Sequence, residues 1–263
     1  MTNAGTSANT NESKCVLAAH CKNAGGPSCN AMCGAWIGVH GYNGRGGRVA
    51  AAGLPDDYAR LTLANSPARD NQAAAYRKLA LYVDTFSRQF DYDAERIKSL
   101  YLYSDEPGTG KTTSAAALVN EWIIRHYIGS IQRGLTPLER PALFVDLNAW
   151  QTQYLGFTRS GIPQETAEPI AREYYAMEQR AKTTPFVVLD DIGVRSASEA
   201  FRADLHGVVN HRVTNGLPTV YTSNVALTDL SAIFDRRLAD RIRDMCVDVA
   251  FVGESKRGIR KSA

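Results

Sequence analysis

The run that most constrains this chain is Leu100 to Thr113, Leu-Tyr-Leu-Tyr-Ser-Asp-Glu-Pro-Gly-Thr-Gly-Lys-Thr-Thr, an apolar strand that breaks into a glycine-rich turn and then a helix. Gly108 and Gly110 allow the backbone to aim its N–H groups inward, Lys111 can reach β- and γ-phosphates, and the Thr112 hydroxyl stands where Mg²⁺ would be ligated at a helix N-terminus. Residues Pro107, Gly108, Thr109, Gly110, Lys111, Thr112 and Thr113 are therefore the expected binding loop for ATP. The pattern G-x-x-x-x-G-K-[ST] is met except that Asp105 stands where the first glycine is expected. Aspartate tolerates a left-handed backbone better than most residues, provided its carboxylate points away from the phosphates.

From Ile97 onward short apolar runs alternate with helical ones, the pattern of a mostly parallel sheet. Strands are expected at 99–103, 142–147, 186–190, 219–223 and 247–252, and helices at 111–127, 149–154, 167–180, 200–215 and 230–245. An α/β fold with five parallel strands follows. The third strand, Phe186-Val187-Val188-Leu189, ends in Asp190-Asp191. Carboxylates at that end lie beside the phosphate loop, so Asp190 is the expected Mg²⁺ partner and Asp191 the base or water-positioner. The fourth strand ends in Asn224, which can orient the lytic water or report the γ-phosphate; without the loop and the acid pair an ordinary turn residue would be the plainer reading.

Arg237 and Arg241 are four apart on one helix face, with Leu238 and Ile242 turned inward. Such a face can carry an arginine finger to the γ-phosphate of a neighbouring subunit, and it can equally be a surface helix salt-bridged through Asp235, Asp240 and Asp244. The terminal Lys256, Arg257, Arg260 and Lys261 read as a solvated tail or a DNA contact.

At the other end, Met1 to Lys14 is polar, has little to bury and reads as disordered. Cys15, Cys21, Cys29 and Cys33 follow within nineteen residues, spaced C-x5-C-x7-C-x3-C. In a reducing compartment such a cluster points to metal. Four thiolates suit tetrahedral Zn²⁺; His20 or His40 could each replace one sulfur, and an iron–sulfur cluster uses the same ligand type. Residues 34–53, with Gly41, Gly44, Gly46 and Gly47, read as pliable and turn-rich, with Trp36, Ile37 and Val39 packing under the metal site. Cys246 reads as a core residue.

The expected organisation is a tail at 1–14, a zinc-binding module at 15–53, a linker and helix at 54–90, and the nucleotide-binding domain at 91–263. A formal charge of +3 on 263 residues neither demands nor excludes nucleic acid. No apolar run has the length of a membrane span and the N-terminus lacks a signal-peptide pattern, so a cytoplasmic protein is expected.

Taken in order, the Lys111 loop, the Asp190–Asp191 pair, Asn224 and the Arg237/Arg241 helix resemble AAA+ ATPases of the helicase-loader type, the DnaC/DnaI group, together with the related IstB transposition helpers. The likeness covers roughly residues 54–257. It implies a slow ATPase with ATP and Mg²⁺ as cofactors, a hexameric replicative helicase and single-stranded DNA as partners, and self-assembly through the Arg237/Arg241 face in a bacterial or phage-infected cell. It also implies that the Cys-rich start is a zinc-bearing part that grips the helicase, and that Trp150, Tyr154 and Phe157, with Arg159 and Lys182, could face DNA, although aromatics at this spacing more often pack in a core. Two departures stand out. Asp191 replaces the glutamate often found there, and only eleven residues follow Val252, too few for a C-terminal helical lid, with Arg257 a partial substitute for its arginine. Within the same ATPase core an IstB-like helper remains open. So does a nucleotide-gated adaptor that does not hydrolyse; a small-molecule kinase lacks an acceptor pocket and lid in this sequence.

Overall fold

The computed structural model describes residues 10–193 and 198–255. The basic residues Lys256, Arg257, Arg260 and Lys261 and the first nine residues lie outside them. Five strands, β1 (Ser99–Tyr103), β2 (Ala142–Asp146), β3 (Phe186–Asp190), β4 (Thr219–Ser223) and β5 (Cys246–Ala250), form one sheet in the order β2-β3-β4-β1-β5. Every pairing is parallel. Parallel strands need covered faces, and alternate residues supply both. Leu100, Leu102, Phe144, Val188 and Val220 pack into one core, whereas Tyr101, Val145, Leu189 and Tyr221 pack into the other.

The first core is closed by α3 (Ala73–Asp84) and by α4 (Lys111–Gln132), whose Ala115, Ala116, Leu118, Val119 and Trp122 are fully buried. The second is closed by α5 (Leu147–Thr158), α6 (Gln164–Thr183), α7 (Glu199–Thr214) and α8 (Arg236–Met245). Capping sets the boundaries. Asp146 accepts from the N–H groups of Asn148 and Ala149, so α5 starts at Leu147, two residues earlier than periodicity suggests. Asp235 caps α8 through the N–H groups of Arg237 and Leu238, and Leu230 belongs instead to a preceding 3-10 turn, Leu227–Ala232.

Two expectations are corrected here. Residues 34–53 are not merely turns: they form α1 (Gly34–His40) and α2 (Gly47–Ala51), whose Val39, Val49 and Ala52 join the α4 core. The segment 54–63 is pinned rather than free, since Asn120 on α4 donates to the carbonyls of Tyr58 and Leu61 at 3.0 and 2.7 Å. The N-terminal module is tied to the sheet as well: Phe144 N–H donates to the Ala52 carbonyl at 2.7 Å, and Arg48 to the carbonyls of Pro137 and Leu138.

Candidate nucleotide site

The strand order places the C-terminal ends of β1, β3 and β4 side by side, and the loop after β1 opens there. Gly110, at φ 103°, ends the loop in a left-handed conformation, and a Cβ on it would lie 2.6 Å from Ala68 Cβ. Only glycine fits. Asp105 behaves otherwise than expected. It is exposed, accepts the Glu106 N–H at 3.1 Å, and keeps an ordinary backbone. Among the described residues the one non-glycine with positive φ is Asp191, at 62°.

A cavity of about 740 Å³ lies over the loop, lined by all seven expected residues from Pro107 to Thr113 and by Asp190, Asp191 and Asn224. Lys111 Nζ donates to the carbonyls of Ser104 and Glu106 at 3.2 and 3.0 Å. Thr112 Oγ1 donates to Asp190 Oδ2 at 3.2 Å, and Thr222 Oγ1 donates to Asp190 Oδ1 at 2.7 Å. The hydroxyl and carboxylate that could share one Mg²⁺ are thus already adjacent. Burial pushes the Asp190 carboxyl up to about 6; the Thr222 and Thr112 hydrogen bonds oppose the shift, and Asp146 and Asp191 add to it. Asp191 is held from two sides: its N–H donates to Thr222 Oγ1 at 2.8 Å, and its Oδ2 accepts from Asn148 Nδ2 at 3.0 Å.

Sequence reasoning missed one wall of this cavity. Tyr58, Pro67, Ala68, Asn71 and Gln72, all ahead of β1, line it. Gln72 Nε2 donates to the carbonyls of Thr109 and Val252, at 3.1 and 2.7 Å, while its Oε1 accepts the Val252 N–H at 3.2 Å. One amide therefore fastens the phosphate loop to the chain just past β5. No spacing signal marks such a residue, because its partners are backbone atoms 37 and 180 positions away.

Arg237 and Arg241 do not line the cavity. Both are exposed on α8; Arg241 donates to Asn210 and Thr214 on α7, at 2.7 and 2.9 Å. Arg243 bonds to Asp240 and to the Leu227 and Thr228 carbonyls, so it braces the helix it sits on. The aromatic run after β2 packs against the α6 and α7 helices. Trp150 is buried and stacks on Tyr174, Tyr154 and Phe157 pack on the same ring, and Lys182 pairs with Glu178. These rings pack between α5, α6 and α7, Trp150 and Tyr174 fully and Tyr154 and Phe157 partly buried.

Cys15, Cys21, Cys29 and Cys33 surround a second cavity, of about 430 Å³. His40 does not face it as a ligand: its Nε2 accepts the Val16 N–H at 3.1 Å, and burial, with Arg60 adding, pushes its imidazole down to about 4. A single zinc ion does not fit these sulfurs, because among the described residues no three His, Cys, Asp or Glu side chains are grouped closely enough to hold one ion. Cys246 is half-buried at the start of β5, and burial raises its thiol.

No known family profile matches the chain. The replicative helicase loader DnaI of Bacillus subtilis (strain 168) is 28% identical over a region covering 61% of this chain and 48% of DnaI. The replicative helicase loader DnaC of Escherichia coli (strain K12) is 23% identical over 66% of this chain and 59% of DnaC. Its relatives in sequence are replicative helicase loaders. The chain thus matches these loaders over about half to three-fifths of their own length. Their solved structures share its fold. A crystal structure of DnaI aligns with a TM-score of 0.51 at 21% identity, covering 78% of this chain and 94% of that one; for the DnaC helicase loader the values are 0.53, 18%, 75% and 100%. The five-stranded sheet is therefore the fold that these solved structures share.

Proposed function

We propose that this chain is an ATP-dependent loader of a hexameric replicative helicase. The observation that carries the reading is the meeting of Lys111, Thr112, Asp190, Asp191 and Asn224 around one cavity in a chain whose relatives are helicase loaders. In this reading residues 107–113 wrap the triphosphate, and Lys111 leaves the Ser104 and Glu106 carbonyls for the β- and γ-phosphates. Thr112 and Asp190 would hold Mg²⁺, whose charge would offset the carboxylates at the strand ends. When bound, the ion would supply positive charge to the γ-phosphate. Asn224 and Asp191 position the attacking water, and the Arg237/Arg241 face of a neighbouring copy supplies cationic charge to the same phosphate. Residues 15–53 form the helicase-gripping module, and assembly on single-stranded DNA follows ATP occupancy in a bacterial or phage-infected cytoplasm.

The test is to mix the full-length chain with candidate hexameric helicases, with and without ATP, and to measure complex mass. An ATP-dependent complex that Lys111→Ala abolishes is the expected result; binding to a transposase in place of any helicase would sink the loader reading. A second reading has its own support. Asp191 is one methylene shorter than glutamate and is already engaged by Asn148, which fits a nucleotide-gated adaptor that does not turn over. Steady-state phosphate release with DNA and helicase present separates the two, since clear turnover rejects the adaptor.

A further inference from the structure

Strand β3 leaves the sheet by an irregular step. Val187 N–H donates to the Pro218 carbonyl at 3.4 Å, and a parallel ladder advancing by two residues at a time would bring the Asp191 N–H to the Thr222 carbonyl. It does not arrive there. The Ile192 N–H takes that carbonyl at 2.9 Å, and the Asp191 N–H turns to the Thr222 hydroxyl at 2.8 Å. One residue more than the ladder allows is fitted in, with Asp191 held at φ 62°. A residue with a side chain keeps a left-handed backbone only where its surroundings fix it, and Thr222 accepts both of these N–H groups. Nothing in Thr219-Val220-Tyr221-Thr222 announces the role, because threonine is an ordinary strand former.

The same hydroxyl has a second partner. Its proton goes to Asp190 Oδ1 at 2.7 Å, while Asp190 Oδ2 accepts from Thr112 at 3.2 Å. A hydroxyl can donate once and accept at the same time, and Thr222 Oγ1 is used in both senses. Thr222 is 2% exposed, so bulk water does not compete for either bond. We propose that Thr222 is a positioning residue for both acids of the nucleotide site: one hydroxyl orients the Asp190 carboxylate for the ion and holds the backbone of Asp191, whose carboxylate positions the water. Thr222 acts through these two residues rather than on the nucleotide. It stands two positions before Asn224, so the end of β4 serves the cavity twice, at the acids through Thr222 and at the phosphate through Asn224. The inference rests on the ATP reading of this cavity and adds to it the link from β4 to β3.

The experiment is an ATP titration of the full chain in Mg²⁺ and again in EDTA, with the ratio of the two affinities as the readout. Thr222→Val keeps the shape and the branch at Cβ and removes the hydroxyl. It should lower that ratio by about ten- to a hundredfold, the usual effect of losing a hydrogen bond behind a metal ligand, while affinity in EDTA changes by less than about twofold. Thr222→Ser returns the hydroxyl and should restore the ratio. Should Thr222→Val be unfolded by circular dichroism, Thr222→Cys, of nearly the same size and a weak hydrogen-bonding group, is read by the same ratio. An unchanged ratio, whether or not both affinities fall together, would show that the threonine only supports the fold and would overturn the assignment. A Thr222→Ser protein as impaired as Thr222→Val would overturn it too, because the hydroxyl would not be what acts. Failure of the ATP reading looks different: the unsubstituted chain would then show no ATP affinity that Lys111→Ala abolishes, and the site would be gone before Thr222 is changed.

Discussion

At the scale of single residues, Asp190 is where burial and function pull in opposite directions. Its carboxyl is 8% exposed and pushed up to about 6, so the fold disfavours the charged form that Mg²⁺ needs. The sign follows from linkage. An acid whose folded value is raised withdraws stability as pH rises from its ordinary value near 4 to about 6, and the full penalty is present above that. Asp190→Asn should therefore leave the nucleotide-free protein equally or more stable at pH 8, by up to about 1–3 kcal/mol, while abolishing Mg²⁺-dependent ATP binding. Calorimetric melting and an ATP titration at pH 8 check both halves; a large fall in Tm would show that the carboxylate is structurally required. In the unsubstituted protein, affinity for Mg–ATP should weaken as pH drops below about 6, approaching tenfold per pH unit.

The elements around the site differ in how far the sequence announces them. Strands β1, β3 and β4 and the loop to α4 are legible because a doubly covered parallel strand must be a continuous apolar run, and because the phosphate loop needs glycine and lysine at fixed offsets. The wall formed by residues 58–72 is not legible. Its contribution rests on long-range backbone contacts made by Gln72, and the same residue types at the same spacing would serve as an ordinary helix start. The aromatics on α5 are ambiguous for a related reason: a ring that stacks on a base and one that stacks on Tyr174 leave the same trace in sequence. Gln72 can be tested directly. Gln72→Ala removes three hydrogen bonds, those to the Thr109 carbonyl and to both backbone groups of Val252. Stranding the buried Thr109 carbonyl costs about 1–3 kcal/mol, so a lower Tm and weaker ATP binding should appear together. Gln72→Glu keeps the acceptor and loses both donations, so it should fall in the same direction. Unchanged ATP affinity in both variants would remove Gln72 from the site.

At the scale of the whole molecule, two histidines that tie its parts together contribute to acid stability. His40 joins α1 to the cysteine segment; His126 accepts the Leu138 N–H at 3.1 Å and pairs with Gln89 at 2.7 Å, joining α4 to the approach to β2 and to the turn after α3. Burial lowers both to about 4, with Arg60 adding at His40 and Arg48 at His126. A base lowered on folding contributes stability above its unfolded value near 6.5 and loses it as pH falls to about 4. Each accounts for roughly 3 kcal/mol on that scale, in the direction opposite to Asp190 and larger when summed. Tm should fall between pH 6.5 and pH 4; a flat profile would contradict the two neutral rings.

The proposed assembly also belongs to the scale of the whole molecule, and its test is whether Arg237 acts across a subunit boundary. Within one chain Arg237 is exposed and outside the nucleotide cavity, whereas Arg241 is bonded to α7, so the two should behave differently when removed. Arg237→Ala should change stability by less than about 0.5 kcal/mol, as surface substitutions usually do, yet lower stimulated ATP turnover by roughly 10³ if its guanidinium serves a neighbour's γ-phosphate. Arg241→Ala should cost both turnover and Tm, because its partners on α7 are part of the fold. The decisive comparison mixes two inactive proteins. Lys111→Ala cannot engage its own triphosphate but still presents Arg237; Arg237→Ala binds ATP but presents no finger. In a mixed assembly some interfaces pair an intact loop with an intact arginine, so turnover should reappear on mixing and vary with the ratio of the two. Mixtures as inactive as the separate variants would place the arginine's role within its own chain, a role its distance from the cavity does not support.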